Sequence, residues 1–112
     1  MLSKDNRLKK KKDFEKVFNQ GKSYKGRFFS AKVLKTDLKE SRFGFIVSGK
    51  VSKKAVIRNK IRRLLQEAVR KNFPDIKKIV DVAIVAFPQI QNETREEIQK
   101  SVSDFLKKTG LV

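Results

Sequence analysis

The sequence contains no cysteine and no histidine. Their absence removes disulfides, thiolate metal sites, imidazole bases and nucleophilic thiols together. Asp and Glu are scattered singly, so no paired acid–base arrangement can be picked out either. No catalytic residue is expected on this chain. No apolar run approaches the roughly 18 residues that a membrane span needs. The basic stretch Met1–Lys12 lacks the apolar segment of a secretory signal. A cytoplasmic protein with no membrane partner is therefore expected. There is no internal repeat, no Pro- or Ser-rich linker and no composition break. The 112 residues suffice for one domain with one core.

What the chain has in excess is positive charge, +17 in all. Residues 1–35 carry 12 Lys and Arg against Asp5, Asp13 and Glu15, and residues 50–71 carry nine against Glu67 alone. Residues 36–49 and 72–112 are each neutral. Two basic blocks on an otherwise neutral domain resemble an electrostatic footprint more than a solubility device. Nine Phe and a hydrophobic fraction of 38% supply a core beneath them, so the chain is not a disordered basic tail. Nucleic acid is the favoured partner.

Hydrophobic periodicity orders the elements. The segment through Lys12 reads as a basic arm with little to bury, and residues 1–8 are expected to be mobile. Phe14, Val17 and Phe18 mark a helix over Lys12–Gln20, stopped at Gly21. Lys22–Lys35 is a strand region interrupted at Gly26, and Arg42–Ser48 is a strand in which Gly44 suggests a bulge or a close approach by another backbone. Ile57, Ile61, Leu64, Leu65 and Ala68 stripe a helix over Lys53–Asn72, which Phe73-Pro74 ends. Ile79–Phe87 is a strand buried on both faces. Asn92–Lys108 is the last helix. This order predicts an α+β sandwich, with one layer of helices on a mixed sheet and a crossover that is right-handed by default.

The two long helices obey different electrostatic rules. In the last, Thr94 and Glu97 form a capping box, acids fill the first turn and lysines the last. It reads as a stability element. The central helix begins among Lys50, Lys53, Lys54 and Arg58, with no acid before Glu67. Each exposed cation there opposes the helix dipole by roughly 0.3–1 kcal/mol. Such placement makes sense where an anion occupies the helix start, since free N–H groups, dipole and cations together make a phosphate receptor. Asn59, Arg62, Arg63, Gln66 and Arg70 fall on the arc opposite the apolar stripe, flanked by Arg58, and Lys60 sits nearer its edge. An ordinary solvated face is the alternative for that arc.

Lys54-Ala55-Val56-Ile57-Arg58-Asn59-Lys60-Ile61-Arg62-Arg63-Leu64-Leu65 resembles the signature of the bacterial ribonuclease P protein family. Arg7-Leu8-Lys9, Asp13-Phe14-Glu15-Lys16-Val17-Phe18 with Gly21, and Gly44-Phe45-Ile46-Val47-Ser48 resemble that family's arm, first helix and strand before the signature. The likeness runs from about Arg7 to Lys108. It implies a two-layer α/β sandwich of order α-β-β-β-α-β-α, with a left-handed crossover in place of the default. It also implies a role as the protein subunit of a ribonucleoprotein endoribonuclease. The RNA subunit carries the chemistry, and the protein helps it remove the 5′ leader of precursor transfer RNA. No obligate protein partner is implied.

By position, the resemblance assigns RNA contact to Arg58, Asn59, Lys60, Arg62 and Arg63. Lys53, Lys54 and Arg70, and Arg7, Lys9, Lys10, Lys11 and Lys12 of the arm, join them as RNA-contact candidates on charge. Phe14, Phe18 and Lys32 would line the leader cleft, with plain core packing as the other reading of both rings. Three positions depart from the family pattern. Lys60 stands for a second Arg, Lys32 for a frequent aromatic, and Gly49 for a frequent Lys. Mg²⁺ is expected, held mainly by RNA phosphates. A ribosomal or ribosome-assembly RNA binder and a nucleoid-type DNA binder remain as rivals, with a metal-dependent nuclease more distant.

Overall fold

A computed structural model describes residues 2–112. Its elements are α1 (Lys11–Gln20), β1 (Lys22–Lys25), β2 (Phe29–Lys35), β3 (Arg42–Ile46), α2 (Ala55–Asn72), β4 (Val80–Ala86) and α3 (Arg95–Lys108). Short 3₁₀ turns lie at Lys4–Asn6, Phe73–Asp75 and Pro88–Asn92. The strands form one sheet in the order β1-β2-β4-β3. β1 pairs antiparallel with β2 and β2 with β4, whereas β3 runs parallel to β4. The sheet is mixed, and the parallel pair requires the crossover through α2.

Central placement explains the composition of β4. Val80, Val82, Ile84 and Ala86 enter the main core, while Ala83 enters a second cluster on the other face. On the main side, Ile61, Leu65, Ala68 and Val69 of α2 and Ile98, Val102, Phe105 and Leu106 of α3 cover the sheet. The Phe29 and Phe105 rings meet edge-on at 5.3 Å, a favoured aromatic geometry.

The first helix departs from the expected single helical layer. Val17, Phe14 and Phe18 pack with Leu8, Leu34 and Ala83, on the face opposite α2 and α3. Its amphipathic pattern specified a buried stripe but not which side of the sheet would bury it. Gly44 makes this docking possible, since a β-carbon there would overlap the Phe14 ring and crowd the Leu8 carbonyl. Gly21 also works through its missing β-carbon. Its backbone is extended, at φ −76°, and a side chain would meet the Val17 and Val33 carbonyls. The left-handed glycine is Gly110, at φ 75° beyond α3.

The N-terminal segment is packed where a free arm was expected. Leu2, Asn6 and Leu8 are buried, and Asn6 Nδ2 donates to the Ser41 carbonyl at 3.0 Å. Arg7 bridges Phe43 in parallel fashion and Leu8 N–H donates to the Phe43 carbonyl at 2.9 Å. Residues 7 and 8 thereby cover part of the otherwise open β3 edge. Met1, the first residue of the expected mobile arm, lies outside the described residues. The last helix begins at Arg95 rather than Asn92, because Pro88–Asn92 forms a 3₁₀ turn and Thr94 is the cap. Thr94 Oγ1 accepts from Glu97 N–H at 3.1 Å, but the Glu97 carboxylate turns to Arg27 at 3.0 Å. Half the capping box is therefore formed.

Beneath α1 lies an ion-pair triad. Arg42 Nε and Nη2 donate to the two oxygens of Asp81 at 2.9 and 2.6 Å, and Nη1 donates to Asp13 of α1 at 3.2 Å. The Arg42 pKa is raised above the ordinary arginine value, first by the hydrogen bond to Asp81. Burial opposes this, and the charges of Asp81 and Asp13 reinforce it. Asp81, 4% exposed, is a carboxylate within an apolar strand, and the fork from β3 makes its burial tolerable. Asp81→Ala should destabilise the protein by about 2 kcal/mol in urea unfolding, because it leaves a half-buried guanidinium without its main charged hydrogen-bond partner. A loss below about 1 kcal/mol, the range of an exposed pair, would show that the triad does not secure β3, β4 and α1 together.

Candidate nucleic-acid interface

The start of α2 lacks both the side-chain cap and the first-turn acid that usually serve a helix N-terminus. Its cap, Lys54, makes no side-chain capping bond, and no acid occupies the first turn. The Ile57 and Arg58 N–H groups both turn to the Lys54 carbonyl at 3.1 Å. Among the described residues, the Ala55 and Val56 N–H groups have no protein partner. Lys53 and Lys54 are exposed beside them. Two free donors, the positive end of an 18-residue helix and adjacent ammonium groups converge on one place, an arrangement suited to a phosphate.

The remaining signature residues divide between two flanks of α2, where the helical-wheel reading placed most of them on one arc. On the first flank, Arg58 Nη1 donates to the Ser52 carbonyl at 2.9 Å. Arg62 donates to Asn59 Oδ1 at 2.6 Å through Nη1 and to the Val47 carbonyl at 3.3 Å through Nη2. Unpaired carbonyls in the β3–α2 connection draw these guanidiniums sideways. A guanidinium has five N–H donors, so both retain capacity for an anion. On the second flank, Lys60, Arg63 and Arg70 border a groove that also includes Glu67 and Arg95.

Four cation–carboxylate contacts occur among the described residues: Arg27 with Glu97, Arg42 with Asp13 and with Asp81, and Arg95 with Glu67. None involves Lys53, Lys54, Arg58, Lys60, Arg62, Arg63 or Arg70. Among the described residues, the charge of these seven cations is therefore not neutralised by carboxylates. Lys9, Lys10, Lys11 and Lys12 are exposed around the start of α1, whose cap, Lys10, likewise makes no side-chain bond. Asp13 in that first turn is committed to Arg42. Arg7 is half-buried, with its backbone on the β3 edge.

On the α1 face of the sheet, Phe18, Ser23, Ser30, Lys32, Ala83 and Val85 contribute to a small groove of about 100 Å³. Phe18 and Lys32 are both half-buried there. Phe14 stacks on Phe18, with ring centres 6.4 Å apart, but sits over Gly44 and outside that groove. The structure thus brings Phe18 and Lys32 together and gives Phe14 a packing position behind them. The Arg42–Asp81–Asp13 triad beneath α1 went unread, because its members are 29 and 39 residues apart. An acid inside an apolar strand was the available signal. Among the described residues, no group of three or more carboxylates gathers to hold a metal ion, and no helix is long and apolar enough to cross a membrane.

The family model for ribonuclease P matches residues 2–110. The ribonuclease P protein component of Clostridioides difficile (strain 630) is 38% identical over 105 residues, covering 93% of this chain and 91% of the relative. That of Clostridium novyi (strain NT) is 35% identical, covering 98% of each. Among solved structures, the RNase P protein of Staphylococcus aureus superposes with a TM-score of 0.87 at 29% identity, over 95% of this chain and 96% of that one. The RNase P protein of Thermotoga maritima gives 0.82 at 27%, over 91% and 96%. The hand of the β3–α2–β4 crossover is accordingly that of these structures.

Because the lysines at the start of α2 oppose its dipole, Lys53→Ala with Lys54→Ala should leave urea stability unchanged or raise it by up to about 1 kcal/mol. The same pair should weaken RNA binding and reduce the slope of log K against log salt by about 1.4–1.8. Loss of stability with unchanged RNA affinity would mean that these lysines serve the fold.

Proposed function

The chain belongs to the ribonuclease P protein family, and on that premise we propose that it binds two RNAs on two surfaces. The α2 surface takes the catalytic RNA of a ribonuclease P, and the groove between α1 and the sheet takes the 5′ leader of precursor transfer RNA. One observation carries the reading: the unneutralised cations and free N–H groups at the start of α2. The Arg42–Asp81–Asp13 triad shows that this protein pairs charge closely where the fold needs it. On α2 the cations are left for a partner.

The leader surface follows from different chemistry. A leader varies in sequence, so its site must grip backbone and ring faces rather than base edges. Phe18 supplies a face on which a base can stack, and Lys32 a charge for the backbone. The parallel β3–β4 pair holds the two surfaces in fixed relation. α2 follows β3 directly, and Ala83 and Val85 of β4 floor the groove.

In this account the reaction, removal of the leader from precursor transfer RNA, is carried by the RNA subunit. Mg²⁺ bound to RNA phosphates supplies the metal chemistry of cleavage. This chain's residues offset phosphate repulsion between two polyanions and hold the leader in register, so their effect falls on substrate binding and on the Mg²⁺ concentration required.

Reconstitution with the catalytic RNA of the same organism and a precursor transfer RNA tests this directly. At low Mg²⁺ the protein should stimulate cleavage strongly, and Phe18→Ala should weaken binding of leader-bearing substrate by about tenfold. Binding of leaderless transfer RNA should be unaffected by that change. RNA binding without stimulation would favour a ribosomal or ribosome-assembly role. Equal loss with and without the leader would remove Phe18 from the leader site.

A further inference from the structure

The last helix carries the marks of a stability element, yet its first residue departs from them. Arg95 opens α3, where an acid would suit the dipole. Its side chain reaches across to α2, with Nη1 at 3.2 and 3.3 Å from the two oxygens of Glu67. Glu67 is the lone acid of the second basic block. On α2, Lys60, Arg63, Glu67 and Arg70 recur at spacings of three and four residues, so they fall on one line along the helix. From Lys60 to Arg70 that line runs about 15 Å, enough for more than one phosphate. Leu64 and Arg95 complete the lining of a groove of about 350 Å³ between the two helices.

We propose that this groove holds a stretch of the catalytic RNA's phosphate backbone, with Arg95 as a phosphate ligand and Glu67 as the residue that positions it. The inference rests on the RNA-binding reading of α2 and adds a second binding flank, on a different helix. Four cations and one carboxylate line the groove, and that carboxylate is engaged by Arg95 alone among the described residues. Arg95 donates through Nη1 only, leaving Nη2 and Nε for an anion. Lys60, Arg63 and Arg70 form no ion pair among the described residues. Arg58 and Arg62 are tied to the Ser52 and Val47 carbonyls on the other side of the helix. Signature cations on both sides let α2 lie between two segments of a folded RNA, gripping each by its backbone.

Glu67 gives the proposal a test of sign. By charge alone, Glu67→Gln makes the protein more positive and should tighten RNA binding. If Glu67 holds Arg95 in place, the same change should weaken binding despite the added charge. In equilibrium titrations of the full chain with its catalytic RNA, Arg95→Gln should weaken binding by about tenfold and reduce the salt slope by about 0.7–0.9. Arg95→Lys, which keeps the charge but loses the fork, should fall between. Lys60→Gln repeats the test from the opposite wall without touching the ion pair, and should also weaken binding.

Arg58→Glu with Arg62→Glu, on the other flank, is the comparator. Unchanged affinity in Arg95→Gln and Lys60→Gln, with loss in the comparator, would overturn the groove and leave the α2 reading standing. No loss in either set would overturn both. Tighter binding in Glu67→Gln would overturn the positioning role.

Discussion

Cations and the positive end of a helix repel one another, and this chain holds them together at Lys53, Lys54 and Arg58. Folding gains nothing from the placement. The first turn of α2 has no acid, no side-chain cap and two backbone donors without a partner among the described residues. The last helix of the same chain follows the ordinary rules more closely. Thr94 caps α3, Glu96 and Glu97 fill its first turn, and Lys107 and Lys108 its last. The contrast within one molecule locates the exception. On the proposed reading, an external polyanion completes the site, and its phosphates would satisfy the donors and offset the repulsion at once.

The rest of the architecture serves to present that helix end. The Ile61, Leu65, Ala68 and Val69 stripe fixes which side of α2 is buried, and hence which cations are left outward. The β3–β4 parallel pairing sets where α2 starts, since the connection from Val47 to Lys54 must bridge the end of an edge strand and the helix. The carbonyls of that connection then act on the signature itself by taking Arg58 and Arg62 to one side. On the opposite face of the sheet, Arg42 ties β3, β4 and α1 into one body. Phe18 is thereby held beside Lys32 over the strands. Two surfaces of different chemistry, one proposed for folded RNA and one for a single strand, share one sheet.

Much of this was legible in the sequence, for identifiable reasons. The periodic α2 stripe and the continuous apolar run of β4 are strong signals, and the break at Gly26 does separate two strands. Gly44 announced a close approach by another backbone, and the Leu8 carbonyl is near, but the group closest to it is the Phe14 ring. What stayed hidden depends on tertiary pairing. A helical pattern at Phe14, Val17 and Phe18 cannot say which face of a sheet it will cover. Leu2 and Leu8 are single apolar signals in a basic segment, and their burial depends on tertiary partners, the main core for Leu2 and the β3 edge and α1 for Leu8. A wheel projection treats side chains as radial spokes, whereas long Arg and Lys side chains bend toward whatever acceptor is near. The two flanks of α2 were invisible for that reason.

Amide hydrogen exchange at Ala55 and Val56, compared between the free protein and its complex with the catalytic RNA, tests the central claim most directly. Phosphate oxygens seated at the start of α2 should accept from these N–H groups and slow their exchange in the complex, with the effect fading toward the middle of the helix. Exchange at Ala55 and Val56 as fast in the complex as in the free protein would contradict the account. It would mean that the cations crowd this helix end for some reason other than a phosphate.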